Sequence, residues 1–368
     1  MDSPPAGQVS ARLRPVSLPL LVALAVVTGC GDTATAPMDE SPPPPSDEPP
    51  AALGWQTLSG SPDAEEGRFE DVFFLTPDLG WIVSLRGEVY GTEDGGTNWT
   101  LLFQAPGIPF RAVGFATSDL GWAGNINGLE SPAPDTALYE TRDGGSTWSN
   151  ITGRVSGPEP VGICGIWVQD EETVYAAGRW AGPPIFLRTE DGGQSWTSTD
   201  LSPLLTGAVD LHFFDADTGL VVGGRGVGPG PEEQRSSRTV ILRTTDGGRT
   251  WEERYVGSAR GEWAWKISFP GPDVGYVSTQ GPANSGTVLK TEDGGRTWRA
   301  LTVADSAAFS GIGFSSETLG WVAGSAVYQT EDGGETWQEV TLGQSINRFR
   351  FLGPDLGFAS GRRVYVFR

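Results

Sequence analysis

The chain has 368 residues, with 25 basic against 46 acidic side chains and a formal net charge of -21. That balance argues against a nucleic-acid partner, which would be met by a basic surface. Glycine (53), proline (28) and tryptophan (14) are plentiful, and no long segment carries a helical apolar period, so the composition points to short strands joined by many turns.

The first segment reads as an address. Arg12 and Arg14 precede an apolar run, Val16 to Val27, broken only by Ser17 and Pro19. The run is shorter than the roughly 20 residues that span a bilayer and has the pattern of a secretory signal peptide. It ends in Val27-Thr28-Gly29-Cys30, which resembles the lipobox of bacterial lipoproteins. The resemblance implies that residues 1–29 are a leader and that Cys30 is lipidated, leaving the chain exported and lipid-anchored to the cell envelope. Several acyl chains hold a protein to a membrane where a single chain is marginal. Residues 30–53 then contain Pro42-Pro43-Pro44-Pro45, Pro49 and Pro50 and read as a stiff tether of polyproline type. The remaining cysteine, Cys164, sits in the apolar run Val161 to Ile166 and is expected to be a small buried hydrophobe.

From Trp55 the sequence repeats. Thr-x-Asp-Gly-Gly-x-x-Trp occurs six times, with its aspartates at Asp94, Asp143, Asp191, Asp246, Asp293 and Asp332 and its tryptophans at Trp99, Trp148, Trp196, Trp251, Trp298 and Trp337. Spacings of roughly 40 to 55 residues signal a propeller, solenoid or array. The Asp carboxylate is expected to accept backbone N–H bonds two or three residues on. The glycines reach positive φ cheaply, and the Trp anchors the next strand with a large apolar face. The motif resembles the Asp-box of bacterial neuraminidase repeats.

Ahead of each box stands an apolar-x-apolar triplet followed by a Gly-aromatic pair or close equivalent, from Val72-Phe73-Phe74 with Gly80-Trp81 through Phe349-Arg350-Phe351 with Gly357-Phe358. The alternation is that of strands. Each unit supplies four strands, a to d: the triplet, the Gly-aromatic strand, the strand running into the box, and the strand begun by the box Trp. There are seven triplets but six boxes. The last unit lacks strand d, and Gly54-Trp55-Gln56-Thr57-Leu58 looks like one. The expected fold is therefore an all-β, seven-bladed β-propeller over residues 54–368, of roughly 45 residues per blade. The N-terminal strand completes the last blade and closes the ring, which removes exposed sheet edges.

This topology puts the a–b turns and Asp-boxes on one face, and the b–c loops and d–a connections on the other. The b–c loops are long in blades two to five. The loop-rich face also receives the starts of the a strands, with Glu70, Arg111, Asp210, Trp265, Lys266 and Arg348, while the loops add Arg179, Trp180, Arg225, Arg235 and Arg238. Arginine and aromatic residues are enriched in binding hot spots. The candidate protein-binding set is Arg111, Arg179, Trp180, Arg225, Trp263, Trp265 and Lys266, with rim charges and inter-blade packing as the plainer reading of the same residues.

No catalytic residues, cofactor or metal are assigned. The one histidine, His212, lies mid-strand, which speaks against a His-based metal cluster or triad. Each box offers a single Asp, short of the six to eight oxygens calcium takes. Sialidases share the box, but their Arg-Ile-Pro signature is missing: Ile108-Pro109-Phe110-Arg111 has another order. Over nearly all of residues 54–368 the chain resembles the photosystem II stability and assembly factor family, whose seven-bladed propellers repeat the same Thr-x-Asp-Gly-Gly-x-Thr-Trp and Gly-Trp motifs. The resemblance implies a non-catalytic, membrane-tethered scaffold for a protein partner, such as a membrane protein under assembly, bound through an Arg-rich face. The alternative is a carbohydrate-active or glycan-binding propeller.

Overall fold

The computed structural model describes residues 53–65, 67–127, 136–282, 286–305 and 307–368. The leader, Cys30 and the tether up to residue 52 lie outside them. Among the described residues the strands fall into seven sheets, six of them built around four consecutive antiparallel strands and the seventh around three completed by the first strand of the chain. Blade I runs Phe69–Phe74, Gly80–Ser84, Glu88–Thr92 and Thr100–Gln104. Blades II to VI repeat this from strand a at Phe110, Gly165, Gly207, Trp263 and Phe309. Blade VII has Arg348–Gly353, Leu356–Ser360 and Val364–Phe367. Its outer strand is Trp55–Thr57, paired antiparallel as Trp55 with Phe367 and Thr57 with Tyr365. The ring is closed by the N-terminal strand, as the count of triplets against boxes implied.

Three local details differ from the sequence reading. Blade III carries a fifth strand, Val155–Ser156, parallel to its outer strand Trp196–Asp200; two residues are too few to show a period of two. Strand d begins on the box Trp in blade III, but one residue later in blades I, II, IV, V and VI. The box Asp bonds chiefly to the residue four on: Asp143 Oδ1 accepts from the Thr147 N–H at 2.8 Å.

The box is a closed polar circuit. Thr141 Oγ1 donates to Asp143 Oδ1 at 2.9 Å and accepts from the Gly145 N–H at 2.9 Å. The indole of Trp148 then donates to the Gly145 carbonyl at 3.0 Å. Both glycines sit at positive φ, +71° for Gly144 and +97° for Gly145, where a side chain would be strained. In blade III the corresponding carbonyl, Gly193 O, accepts from Arg154 at 2.9 Å instead, and the buried Trp196 N–H has no partner.

The Gly-aromatic pair fastens one blade to the next. A Cβ on Gly80 would lie 2.6 Å from the Phe74 ring, and one on Gly320 would lie 2.3 Å from Phe314. The last aromatic of strand a therefore lies flat on the glycine that opens strand b. The aromatic that follows, after Val174 rather than a glycine in blade III, reaches across to the same ring of the following blade. Trp81 stacks on Phe115 with centroids 3.6 Å apart, Tyr175 on Phe213 at 3.7 Å, Tyr276 on Phe314 at 3.5 Å, and Phe358 on Phe74 at 3.4 Å. The last of these joins blade VII to blade I. Each full stack adds about 0.5–1.5 kcal/mol beyond the area it buries.

Candidate functional site

The innermost strands are irregular near their starts. The register slips between Phe69 and Asp71 in blade I, Phe110 and Ala112 in blade II, Ala264 and Ile267 in blade V, and Phe309 and Gly311 in blade VI. A bulge leaves the extra residue unpaired and re-aims its side chain. The residues so released are Glu70, Arg111, Trp265 with Lys266, and Ser310.

Four of these five join a buried ionic and aromatic hub. Glu70 pairs with Arg111 of the next blade and with Arg68 at 3.0 Å, and accepts from the Asn347 amide at 3.2 Å. The Trp265 N–H donates to Asn347 Oδ1 at 3.1 Å, and the Arg111 guanidinium lies 5.0 Å from the Trp265 ring centroid. Beside them Arg348 spans three blades. Its Nε is 3.0 Å from Asp71, and its two Nη groups grip Asp210 at 2.7 and 2.9 Å. The bidentate geometry is the strong form of this pair. Burial works against charge on Asp210, but Arg348 and Lys266 outweigh it and hold the carboxyl down at about 2. Lys266 is fully buried and its Nζ has no hydrogen-bond partner. Burial, with Arg348 beside it, pushes its ammonium down to about 7.

The other candidates lie around this hub. Trp180 and Trp263 pack with centroids 5.6 Å apart, and with Trp265 they line a shallow cavity of about 390 Å³ rimmed by Gln234, Gln280 and Pro282. Arg179 is buried, and burial lowers its affinity for its proton. Arg225 is half-exposed, donating to the Leu204 carbonyl at 2.5 Å and pairing with Glu253. The seven candidates thus divide. Arg111, Trp265 and Lys266 are committed to the hub. Trp180, Trp263 and Trp265 line the cavity, Arg179 is buried, and Arg225 stands at the surface.

Sequence reading placed Glu70, Asp210 and Arg348 at the ring's loop-rich end but did not pair them, and it missed Asp71 and Asn347. The pairs join residues as far apart as Asp71 and Arg348, which no local pattern reveals. The visible signal was charge at strand starts that are otherwise apolar. Two other side chains sit as the sequence suggested. Cys164 is buried and free, and burial raises its thiol. His212 packs between Trp167 at 4.4 Å and Phe269 at 4.6 Å.

Comparison with known proteins bears on both fold and site. The family described as photosynthesis system II assembly factor YCF48 matches residues 112–212. The photosystem II assembly lipoprotein Ycf48 of Synechococcus sp. (strain CC9902) is 26% identical over 237 residues, which are 53% of this chain and 64% of that protein. A solved structure of YCF48 bound to D1 peptide superposes with a TM-score of 0.61 at 20% identity, covering 88% of this chain and 98% of that one. The GH74 xyloglucanase of Xanthomonas campestris shares the fold, with a TM-score of 0.56 at 14% identity over 85% of this chain and 53% of its own. In sequence over part of its length, and in its seven closed blades, the chain is thus similar to the Ycf48 propellers.

Proposed function

We propose that this chain is a non-catalytic scaffold that binds a segment of a protein partner on its loop-rich face, held near a membrane by lipid on Cys30. The observation that carries the proposal is the matched relative itself: a propeller of the same seven-bladed kind solved with a peptide of another protein bound to it. The relative named as an assembly lipoprotein supports export and lipid anchoring. The partner proposed is an assembling membrane protein, as for the photosystem II assembly factors. The hub supports a rigid platform: its paired charges join blades I, II, IV and VII. Recognition is then left to Trp180 and Arg225 at the surface, with Trp263 buried behind Trp180 and Arg111, Arg179, Trp265 and Lys266 supporting them from below.

The test is capture from a detergent-solubilised membrane extract by the purified chain, followed by binding of synthetic peptides from the exposed segments of whatever is retained. A variant with Trp180→Ala and Arg225→Ala, shown to be folded by its melting midpoint, is expected to lose at least about tenfold in peptide affinity, or about 1.4 kcal/mol. Equal peptide binding by the variant, or retention of no protein together with cleavage of a glycan panel, would overturn the proposal.

A further inference from the structure

A second surface lies on the opposite, Asp-box face, in the seam between blades I and II. The ring supplies its own comparison. The residue just before the box Thr on strand c is Glu140, Arg188, Arg243, Lys290 and Gln329 in blades II to VI. These long side chains lie where one blade meets the next, and basic groups bridge several of the seams. Arg154 pairs with Glu140 at 3.1 Å and donates to the Gly193 carbonyl of blade III. Arg188 donates to the Gly247 carbonyl of blade IV at 3.4 Å. Lys290 lies 5.7 Å from the Tyr276 ring centroid and 3.9 Å from Glu335 of blade VI.

Blade I breaks the pattern. Its residue at this position is Gly91, and the seam it leaves open is a groove of about 950 Å³. Leu79, Trp81 and Leu102 give it an apolar wall, and Glu93, Asp119 and Asp143 give it negative charge. No Arg or Lys is among its lining residues. The groups that receive a cation in the other seams are nonetheless present. Trp81 stands where Tyr276 stands in blade V, and Gly144, the counterpart of Gly247, offers a carbonyl whose one bond is from the Trp81 N–H at 2.8 Å. A carbonyl has a second lone pair to give.

We infer that the blade I–II groove is a docking site for a basic peptide segment, whose Arg or Lys side chain enters the seam beside Gly91 as the free end of Leu102 swings aside. The aliphatic stem packs on Leu102 and Trp81. The cationic head bonds the Gly144 carbonyl and is balanced by Glu93 and Asp119, while the Trp81 ring, buried against Phe115, forms only the floor of the seam. A complementary field directs both choice and rate of encounter. This site is independent of the loop-rich face and goes beyond the scaffold reading.

The experiment is fluorescence polarisation of the full chain with a short labelled peptide carrying arginine, its lysine analogue, and an analogue in which citrulline replaces arginine. Citrulline keeps the shape and removes the charge. The charged peptides are expected to bind at least about tenfold tighter than the citrulline one. Gly91→Arg supplies the missing side chain from within. A Cβ at Gly91 would meet Leu102 Cδ1 at 2.6 Å, the free end of a side chain that can swing aside. The variant is expected to lose peptide binding while its melting midpoint holds or rises by about 1–3 °C, since glycine weakens a strand interior. Gly91→Leu fills the groove without adding charge, so it separates this site from diffuse attraction of a cationic peptide to an acidic protein. It too is expected to abolish binding, whereas Trp180→Ala is expected to leave binding intact. Equal affinity for arginine and citrulline peptides, undiminished binding by folded Gly91→Leu, or a neutral oligosaccharide displacing the peptide would overturn the inference.

Discussion

His212 shows how the ring's packing sets a titration. Its imidazole is wedged among Trp167, Phe214 and Phe269, which belong to three neighbouring blades. Burial lowers its pKa to about 3, against a partial pull upward from Asp210 and a further push down from Arg350. The folded chain thus keeps this ring neutral at a pH where the unfolded chain has already taken up a proton. Between the unfolded value of 6.5 and the folded one, the unfolded state binds more protons, so stability falls as pH falls. His212 is the sole histidine, ordinary carboxylates titrate mostly below about pH 5, and Lys266, held at about 7 in the folded chain, contributes only at the upper end of the interval from pH 7 to 5. Its edge still meets solvent, so the loss from pH 7 to 5 is expected to be about 1–2 kcal/mol rather than the full linkage. His212→Phe is expected to flatten the melting midpoint over that interval. A midpoint that drops as steeply in the variant as in the wild type would assign the acid loss to other groups.

At the scale of the element, the box owes more to its threonine than to its exposed carboxylate. Thr141 Oγ1 accepts from the buried Gly145 N–H, whereas Thr147 Oγ1 donates to Asp143 in an exposed position. Asp143 is held below the usual carboxylate range, first by that Thr147 hydroxyl and then by the Thr147 N–H. Water can replace an exposed bond but cannot reach the glycine. Thr141→Val is therefore expected to cost about 1–3 kcal/mol for an orphaned buried donor, and Thr147→Val less than about 1 kcal/mol. Thermal unfolding of the two variants side by side checks the order. The box, the triplets and the blade count were legible because they recur and because each is built from residues within one turn of chain. The partners of the Gly-aromatic pairs were not, since Trp81 meets Phe115 across a blade boundary and the pattern within either blade is satisfied without the other. Val155–Ser156 was illegible for another reason: two residues are too few to show a period, and its partner strand, Trp196–Asp200, begins 40 residues on.

The whole molecule depends on joining residues that lie almost a chain length apart. Two systems do so. The hub links strand starts through Arg348, Asp71 and Asp210, and breaking a buried pair of this kind leaves an uncompensated charge. The outer strand Trp55–Thr57 does the same from the rim, pairing with Val364–Phe367. Trp55 is its anchor: the indole meets Trp321, Phe349, Phe351 and Phe367 at centroid distances of 5.4 to 5.9 Å, so one side chain ties the first strand to blades VI and VII. Its truncation to alanine removes an aromatic from a packed cluster, which costs about 3–5 kcal/mol in a core. Because Trp55 is only part-buried, the lower end of that range is expected. The consequence is not evenly spread. The local hydrogen bonds of blades II to V do not involve Trp55, whereas blade VII loses the partner for the edge of Val364–Phe367. Trp55→Ala is expected to lower the melting midpoint and to raise amide exchange first in Val364–Phe367 and in the blade VI strand Gly320–Gly324 that carries Trp321. A freed edge also templates pairing with another chain, so the variant is expected to form dimers or larger species on warming. Exchange that rises uniformly around the ring would mean that closure is held by the hub and that the N-terminal strand merely lies against it.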